Sequence, residues 1–170
     1  MKKLYAPWRY YYIHDSIKRN KKSCIFCNVF LDTFEKKQKF VLYQGTDIAI
    51  MLNLYPYNSG HLLVFPFAHV EQLYETSLTI QSTLMQAISL SSQILKETLP
   101  CDALNVGANI GAFSGAGIPE HIHFHIVPRW KGDTGFLPII AETKVISVDL
   151  EKIFQQLQPI FYETFLGKNL

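Results

Sequence analysis

The chain has 170 residues, 48% of them hydrophobic and only 18% charged, with 12 Phe and 9 Tyr. That is the length of one domain, and the composition excludes a disordered chain. Lys plus Arg number 16 against 14 Asp plus Glu, a formal charge of +2, too little to suggest wholesale binding to nucleic acid or a membrane surface, so any anion specificity must be local.

In chain order, Met1 to Tyr10 is basic at first but is broken by Pro7 and Arg9 before the apolar centre of a secretion signal could form. No apolar run approaches the roughly 20 residues of a membrane helix. Lys-rich runs at 18–22 and 36–39 flank the pair Cys24 and Cys27 and read as solvated surface. Three cysteines, two of them close together, suit a reduced compartment and a shared metal better than a disulfide framework, so a cytoplasmic protein is expected.

From Phe40 the texture becomes β-branched and aromatic. Phe40 to Gln44 and Ile48 to Asn53, separated by Gly45-Thr46-Asp47, form a hairpin. The turn residues Tyr55 to Gly60 lead into a third strand over His61 to Phe67. Ile80, Leu84, Ile88, Leu95 and Leu99 then recur at helical spacing, with Ser77 as a cap and Pro100 as a stop, which predicts a helix over 78–99. Ala103 to Asn109 is a fourth strand, Gly111 to Pro119 a glycine-rich loop, and His121 to Val127 a fifth strand ending at Pro128. Leu150, Ile153, Phe154 and Leu157 predict a short helix before Pro159. The sum is an α+β domain on a five-stranded antiparallel sheet with one long inserted helix. It divides into an N-terminal segment 1–38 with the cysteine pair, a core 39–145 and a C-terminal helix 146–170.

His121-Ile122-His123-Phe124-His125-Ile126-Val127 is the sharpest feature. On a strand the three imidazoles share one face and the apolar residues the other, whereas helical spacing would scatter them. Structural histidines and a three-histidine metal site are alternatives, but one regular strand holds the rings about 7 Å apart, too far to gather on one ion without strain. A neutral imidazole can instead attack an electrophilic phosphorus and hold the group covalently, provided its other nitrogen is pinned by a hydrogen bond. Neighbouring histidines then bind phosphoryl oxygens and share protons near neutral pH.

This run resembles the H-φ-H-φ-H-φ-φ signature of the histidine triad superfamily of nucleotide hydrolases and transferases, φ being apolar. Asn53-Leu54-Tyr55-Pro56-Tyr57-Asn58-Ser59-Gly60-His61-Leu62-Leu63-Val64-Phe65-Pro66 resembles its N-x-x-P-x-x-x-G-H-x-L-φ-φ-P hairpin. Pro128-Arg129-Trp130-Lys131-Gly132-Asp133 is most similar to the branch of fragile-histidine-triad hydrolases and bacterial diadenosine tetraphosphate phosphorylases. The resemblance implies His123 as the nucleophile on an α-phosphorus, His125 on the phosphoryl oxygens, His61 bonded within the triad, and Asn53 on the nucleoside ribose. It implies a dinucleoside polyphosphate substrate with adenine favoured, water or phosphate as acceptor, no metal at the phosphate, and a homodimer. Thr143 to Ile146 and the Pro-Arg-Trp flank tilt the reading towards phosphorolysis. Other nucleotide or phosphoramidate hydrolysis within the superfamily, a metal-dependent hydrolase with the triad as ligands, and a nucleotide-binding regulator with little turnover are the rival readings.

The loop before the histidine strand holds Gly111, Gly115 and Gly117, which let backbone N–H groups converge on an anion, and the absence of Gly-Lys-Ser/Thr excludes a P-loop. Asn109 and Ser114 are its side-chain donors, and Asn109 matches a substrate amide of the family. Relatives often carry Gln or Ser where this chain has Gly117, at the leaving-group side. Cys24-Ile25-Phe26-Cys27 has the spacing by which two thiolates share Zn²⁺. The resemblance supplies His69 and His121 as the other two ligands of a structural zinc. Cys101 is spare, while Arg129 and Lys131 read either as neutralising a polyphosphate tail or as surface.

Overall fold

The computed structural model describes residues 24–30, 40–133 and 149–168. The lysine runs at 18–22 and 36–39 and the segment Thr143 to Ile146 lie outside them. Strands β1 (Val41–Gln44), β2 (Ile48–Leu52), β3 (Leu62–Pro66), β4 (Ala103–Ala108) and β5 (Phe124–Arg129) form one antiparallel sheet in the order β1-β2-β3-β5-β4. Helices α1 (Ile25–Val29), α2 (Leu78–Thr98) and α3 (Leu150–Phe165) complete the expected α+β architecture. No helix among the described residues is long and apolar enough to cross a membrane.

Every residue of β2 and β3 is buried because both faces of the sheet are covered. Ile48, Ile50, Leu52, Leu62, Val64 and Ile126 meet Leu84, Ile88 and Leu95 of α2 and Phe154, Leu157 and Phe161 of α3. On the opposite face Ala49, Met51, Leu63 and Phe65 pack against Phe26 and Val29 of α1. The period of two thus sorts apolar side chains between two layers rather than between core and water. Ser77 caps α2 by accepting from the Ile80 amide at 3.2 Å.

Two elements depart from expectation. Helix α3 runs 16 residues, straight through Pro159. The proline is exposed, so the carbonyl it leaves unpaired can reach water, while Phe161 and Phe165 beyond it are 0% and 1% exposed and hold the last turns on the core. The fifth strand begins at Phe124 rather than His121 and extends through Pro128 to Arg129. Residues 121–123 are held instead by the Ile122 amide donating to the Val70 carbonyl at 2.7 Å and by His121 reaching the Pro66 carbonyl. Pro128 fits because β3 has given way to a turn beyond Leu62, where no ladder bond is asked of it.

That turn carries Gly60 at φ +76, where a Cβ would lie 2.4 Å from Leu99 Cδ1. Only glycine combines the left-handed backbone with so close an approach to α2.

Candidate active site and metal centre

Three imidazoles meet where β3 and β5 run side by side. His125 lies opposite Leu63 in the ladder and His61 immediately precedes β3, so the ring centroids of His61 and His125 come within 5.1 Å, and those of His123 and His125 within 5.0 Å. Ile122 and Ile126 turn the other way and are 2% and 0% exposed. Alternation along the run thus puts the histidines on the α1 face of the sheet and the apolar residues in the helix layer.

The hydrogen bonds fix where each ring proton sits. The Tyr57 amide donates to His61 Nδ1 at 3.0 Å, and Asn53 Nδ2 lies 3.3 Å from the same nitrogen. Nδ1 is therefore an acceptor. Burial first, then the charges of His125 and His123, lower the His61 pKa to about 3, so the ring is neutral at pH 7 with its proton on Nε2. That N–H donates to His125 Nδ1 at 2.9 Å, which leaves the His125 proton on Nε2. Burial lowers His125 to about 4, and its buried Nε2 has no hydrogen-bond partner among the described residues. His123 is the converse case. Its Nδ1 faces the His121 carbonyl at 2.9 Å and must donate, so Nε2 carries the lone pair, and burial again favours the neutral ring. The site presents one nucleophilic nitrogen beside one unsatisfied N–H donor, an arrangement able to attack a phosphorus and hold its oxygens.

The preceding histidine serves a different cluster. His121 Nε2 donates to the Pro66 carbonyl at 2.9 Å, turning its Nδ1 lone pair towards Cys24, Cys27 and His69, and the four ligand atoms lie within 4.8 Å of one another. His121 Nδ1 is 3.4 Å from Cys24 Sγ, 3.6 Å from Cys27 Sγ and 3.3 Å from His69 Nδ1, and Cys27 Sγ is 3.2 Å from His69 Nδ1. Tetrahedral Zn²⁺ bonds would set nitrogen–nitrogen edges of about 3.3 Å and nitrogen–sulfur edges of about 3.6 Å. Burial and then the neighbouring Cys24 push the Cys27 thiol up to about 11, so two thiolates here need a cation between them. Donor types, spacing and the hydrogen bond behind His121 all fit a structural zinc. Of the triad, this cluster uses His121 alone.

The glycine loop is exposed. Gly111 and Gly115 have φ of 85 and 88 and flank the short turn Ala112–Ser114. The Ser114 hydroxyl donates to the Gly111 carbonyl at 2.7 Å, so it is spent within its own turn rather than offered outward. Asn109 is half-buried just beyond β4, and Gly117 is exposed on the approach to His121. In the ladder Gly107 lies opposite His125, and a Cβ there would meet nothing within 4 Å. Directly paired residues share a face, so the absent side chain leaves room beside the His125 ring.

Comparison with known proteins places this geometry. The HIT domain family model matches residues 35–132, more than half of the chain. The chain belongs to the HIT domain family. Among curated relatives, the AP-4-A phosphorylase of Mycobacterium tuberculosis is 33% identical over 152 residues, covering 86% of this chain and 77% of that one. A histidine triad nucleotide-binding protein from Sulfolobus tokodaii is 28% identical with a TM-score of 0.65, covering 85% and 93% of the two chains. A Zn-bound histidine triad family protein from Mycobacterium smegmatis, 21% identical, superposes with a TM-score of 0.67 over 88% of this chain and 100% of that one.

In this HIT family chain the structure brings together His61, His123, His125 and Asn53 in one group and Cys24, Cys27, His69 and His121 in the other. Sequence reasoning missed two contributors. The Tyr57 ring stacks over His61 at 4.9 Å and His125 at 5.9 Å, besides donating its amide. Phe26, between the cysteines, packs its ring 4.8 Å from His123 and 5.3 Å from His121. Tyr57 occupies an unspecified position of the hairpin motif; Phe26 signalled itself only as a large aromatic in a metal-type knuckle.

Proposed function

We propose that this chain cleaves a dinucleoside polyphosphate, diadenosine tetraphosphate being the favoured example, at the α-phosphorus. The lone pair of His123 Nε2 forms the phosphorus–nitrogen bond while the bond to the bridging oxygen breaks, its electron pair departing with the polyphosphate. His125 Nε2–H hydrogen-bonds the phosphoryl oxygens, and His61 supports it through its own N–H. An acceptor oxygen then displaces His123 from phosphorus, giving AMP with water or ADP with inorganic phosphate. The observation that carries this reading is the order of ring protons, which leaves the His123 nitrogen bare beside an unpartnered donor. The 33% identity to a named AP-4-A phosphorylase supports the substrate class and favours phosphate as acceptor.

Zinc held by Cys24, Cys27, His69 and His121 would serve structure, tying α1 to the sheet and keeping Phe26 against the nucleophile. Reduced thiols at that site fit a cytoplasmic setting. β4 is an edge strand, and Val106 on it and Met85 on α2 are 48% and 58% exposed, which suits a homodimer built across this side. A single monomer mass at all concentrations in light scattering would exclude the dimer.

The decisive experiment mixes enzyme with diadenosine tetraphosphate, quenches, and seeks an adenylyl group on His123 by mass spectrometry. Its absence during active turnover overturns the covalent route. Product analysis with and without phosphate assigns the acceptor: AMP as the sole second product at millimolar phosphate rules phosphorolysis out.

A further inference from the structure

The turn from Asn53 to Gly60 carries the amide that sets the proton order of the triad, yet it belongs to no helix or strand. One buried side chain ties it to the end of β5. Asn58 is 6% exposed, and its Nδ2 donates to both the Pro128 carbonyl and Asp133 Oδ2, each at 2.8 Å. Its own carbonyl accepts from the His61 amide at 3.2 Å. Asn58 thus connects the turn to the end of β5.

The carboxylate it meets is itself fixed. Arg129 Nε and Nη2 donate to Asp133 at 2.6 and 2.9 Å, and the remaining arm, Nη1, reaches Asn105 Oδ1 on β4 at 2.7 Å. The Asp133 side chain is 8% exposed, and the Arg129 guanidinium holds its carboxyl well below the usual carboxylate range. Bidentate pairing of this kind fixes direction as well as charge. The Arg129 guanidinium, which its sequence position allowed as a polyphosphate clamp or as surface, is thus engaged by Asp133 and Asn105 within the chain.

We infer that Asn58, Asp133 and Arg129 form a positioning relay that selects the tautomers of His61 and His125. The inference rests on the function proposed above. If the turn loosens, the Tyr57 N–H leaves His61 Nδ1 and the proton of that ring is free to move to Nδ1. His61 Nε2 then becomes an acceptor, and His125 must turn its own proton inward to Nδ1 to keep the bond between them. The atom facing substrate becomes a lone pair, which repels phosphoryl oxygens instead of binding them. Three residues outside the triad thereby decide whether the site offers a donor.

The test is long-range ¹H–¹⁵N correlation on histidine-labelled full-length protein, which reads tautomers without turnover. Wild type should show His61 and His125 protonated on Nε2, and Asp133→Ala should move a measurable fraction of both to Nδ1. In parallel, kcat for diadenosine tetraphosphate should fall tenfold or more with KM within twofold, the pattern of a lost transition-state contact. Arg129→Lys, at a half-exposed position, should show the same shifts to a smaller degree and serves if Asp133→Ala fails to fold. Unchanged tautomers in a folded variant, or wild-type rings protonated on Nδ1, overturn the relay. Failure of wild type to adenylylate His123 would defeat the proposed function while leaving the tautomer result readable.

Discussion

Two histidine clusters sit side by side on one face of the sheet and use the same side chain for opposite ends. In the candidate metal centre, His121 spends its N–H on the Pro66 carbonyl and turns a lone pair towards two sulfurs and His69. In the triad, His125 accepts on Nδ1 and is left with an N–H unpartnered among the described residues, while His123 donates to the His121 carbonyl and keeps its outer lone pair. Composition cannot distinguish these uses. The partner of the inner nitrogen decides them, and for His121 and His123 the two clusters share a backbone: the carbonyl that pins His123 belongs to the histidine of the cysteine cluster.

The largest effect should come from removing the proposed nucleophile. His123→Ala should lower turnover by about a thousandfold or more while nucleotide affinity, read by calorimetry, stays within a few-fold. A variant retaining a tenth of the activity would break the division of labour between the clusters. Next, Cys24→Ser should reduce bound zinc from one equivalent per chain, by elemental analysis, and lower Tm by about 10 °C or more, because a structural site contributes its binding energy to folding. Equal stability in metal-free wild type would remove the structural role.

Acid should sharpen the contrast further. His61 and His125 titrate near 3 and 4 in the folded protein against about 6.5 unfolded, so below pH 6.5 the unfolded chain binds more protons. Stability therefore falls as pH drops from 6.5 towards 4, a trend that urea melts across this range would show. The acid limb of kcat/KM should likewise lie below the ordinary histidine value. The smallest effect concerns the turn behind His61: Gly60→Ala should cost about 1–3 kcal/mol from the left-handed backbone and the crowding of Leu99. Chemical denaturation measures it, and zinc content should not change.

Much of this was legible in residue order. The period-two histidine run, the hairpin motif, the capped helix from Ser77 and the cysteine spacing each carry their structure locally, and the eight residues of the two groups meet as the motifs and the family resemblance implied. What escaped was long-range. Helix α3 passes Pro159 only because Phe161 and Phe165 find a core built by distant strands. Ser114 reads as a donor until its turn claims it. Asn58 and Asp133, 75 residues apart, have no pattern in common, and a buried amide finding a carboxylate across the sheet leaves no periodic trace.

The ladder register has a consequence for how such a chain can vary. His125 faces α1 only by its place in the ladder, so a single inserted or deleted residue between Phe124 and Arg129 would turn its imidazole into the helix layer and an apolar neighbour into its place. That stretch is closed to length change. The exposed loop ending at Gly117 carries no such parity. Length can change there without turning a strand side chain to the other face, while the spacing around His125 stays locked.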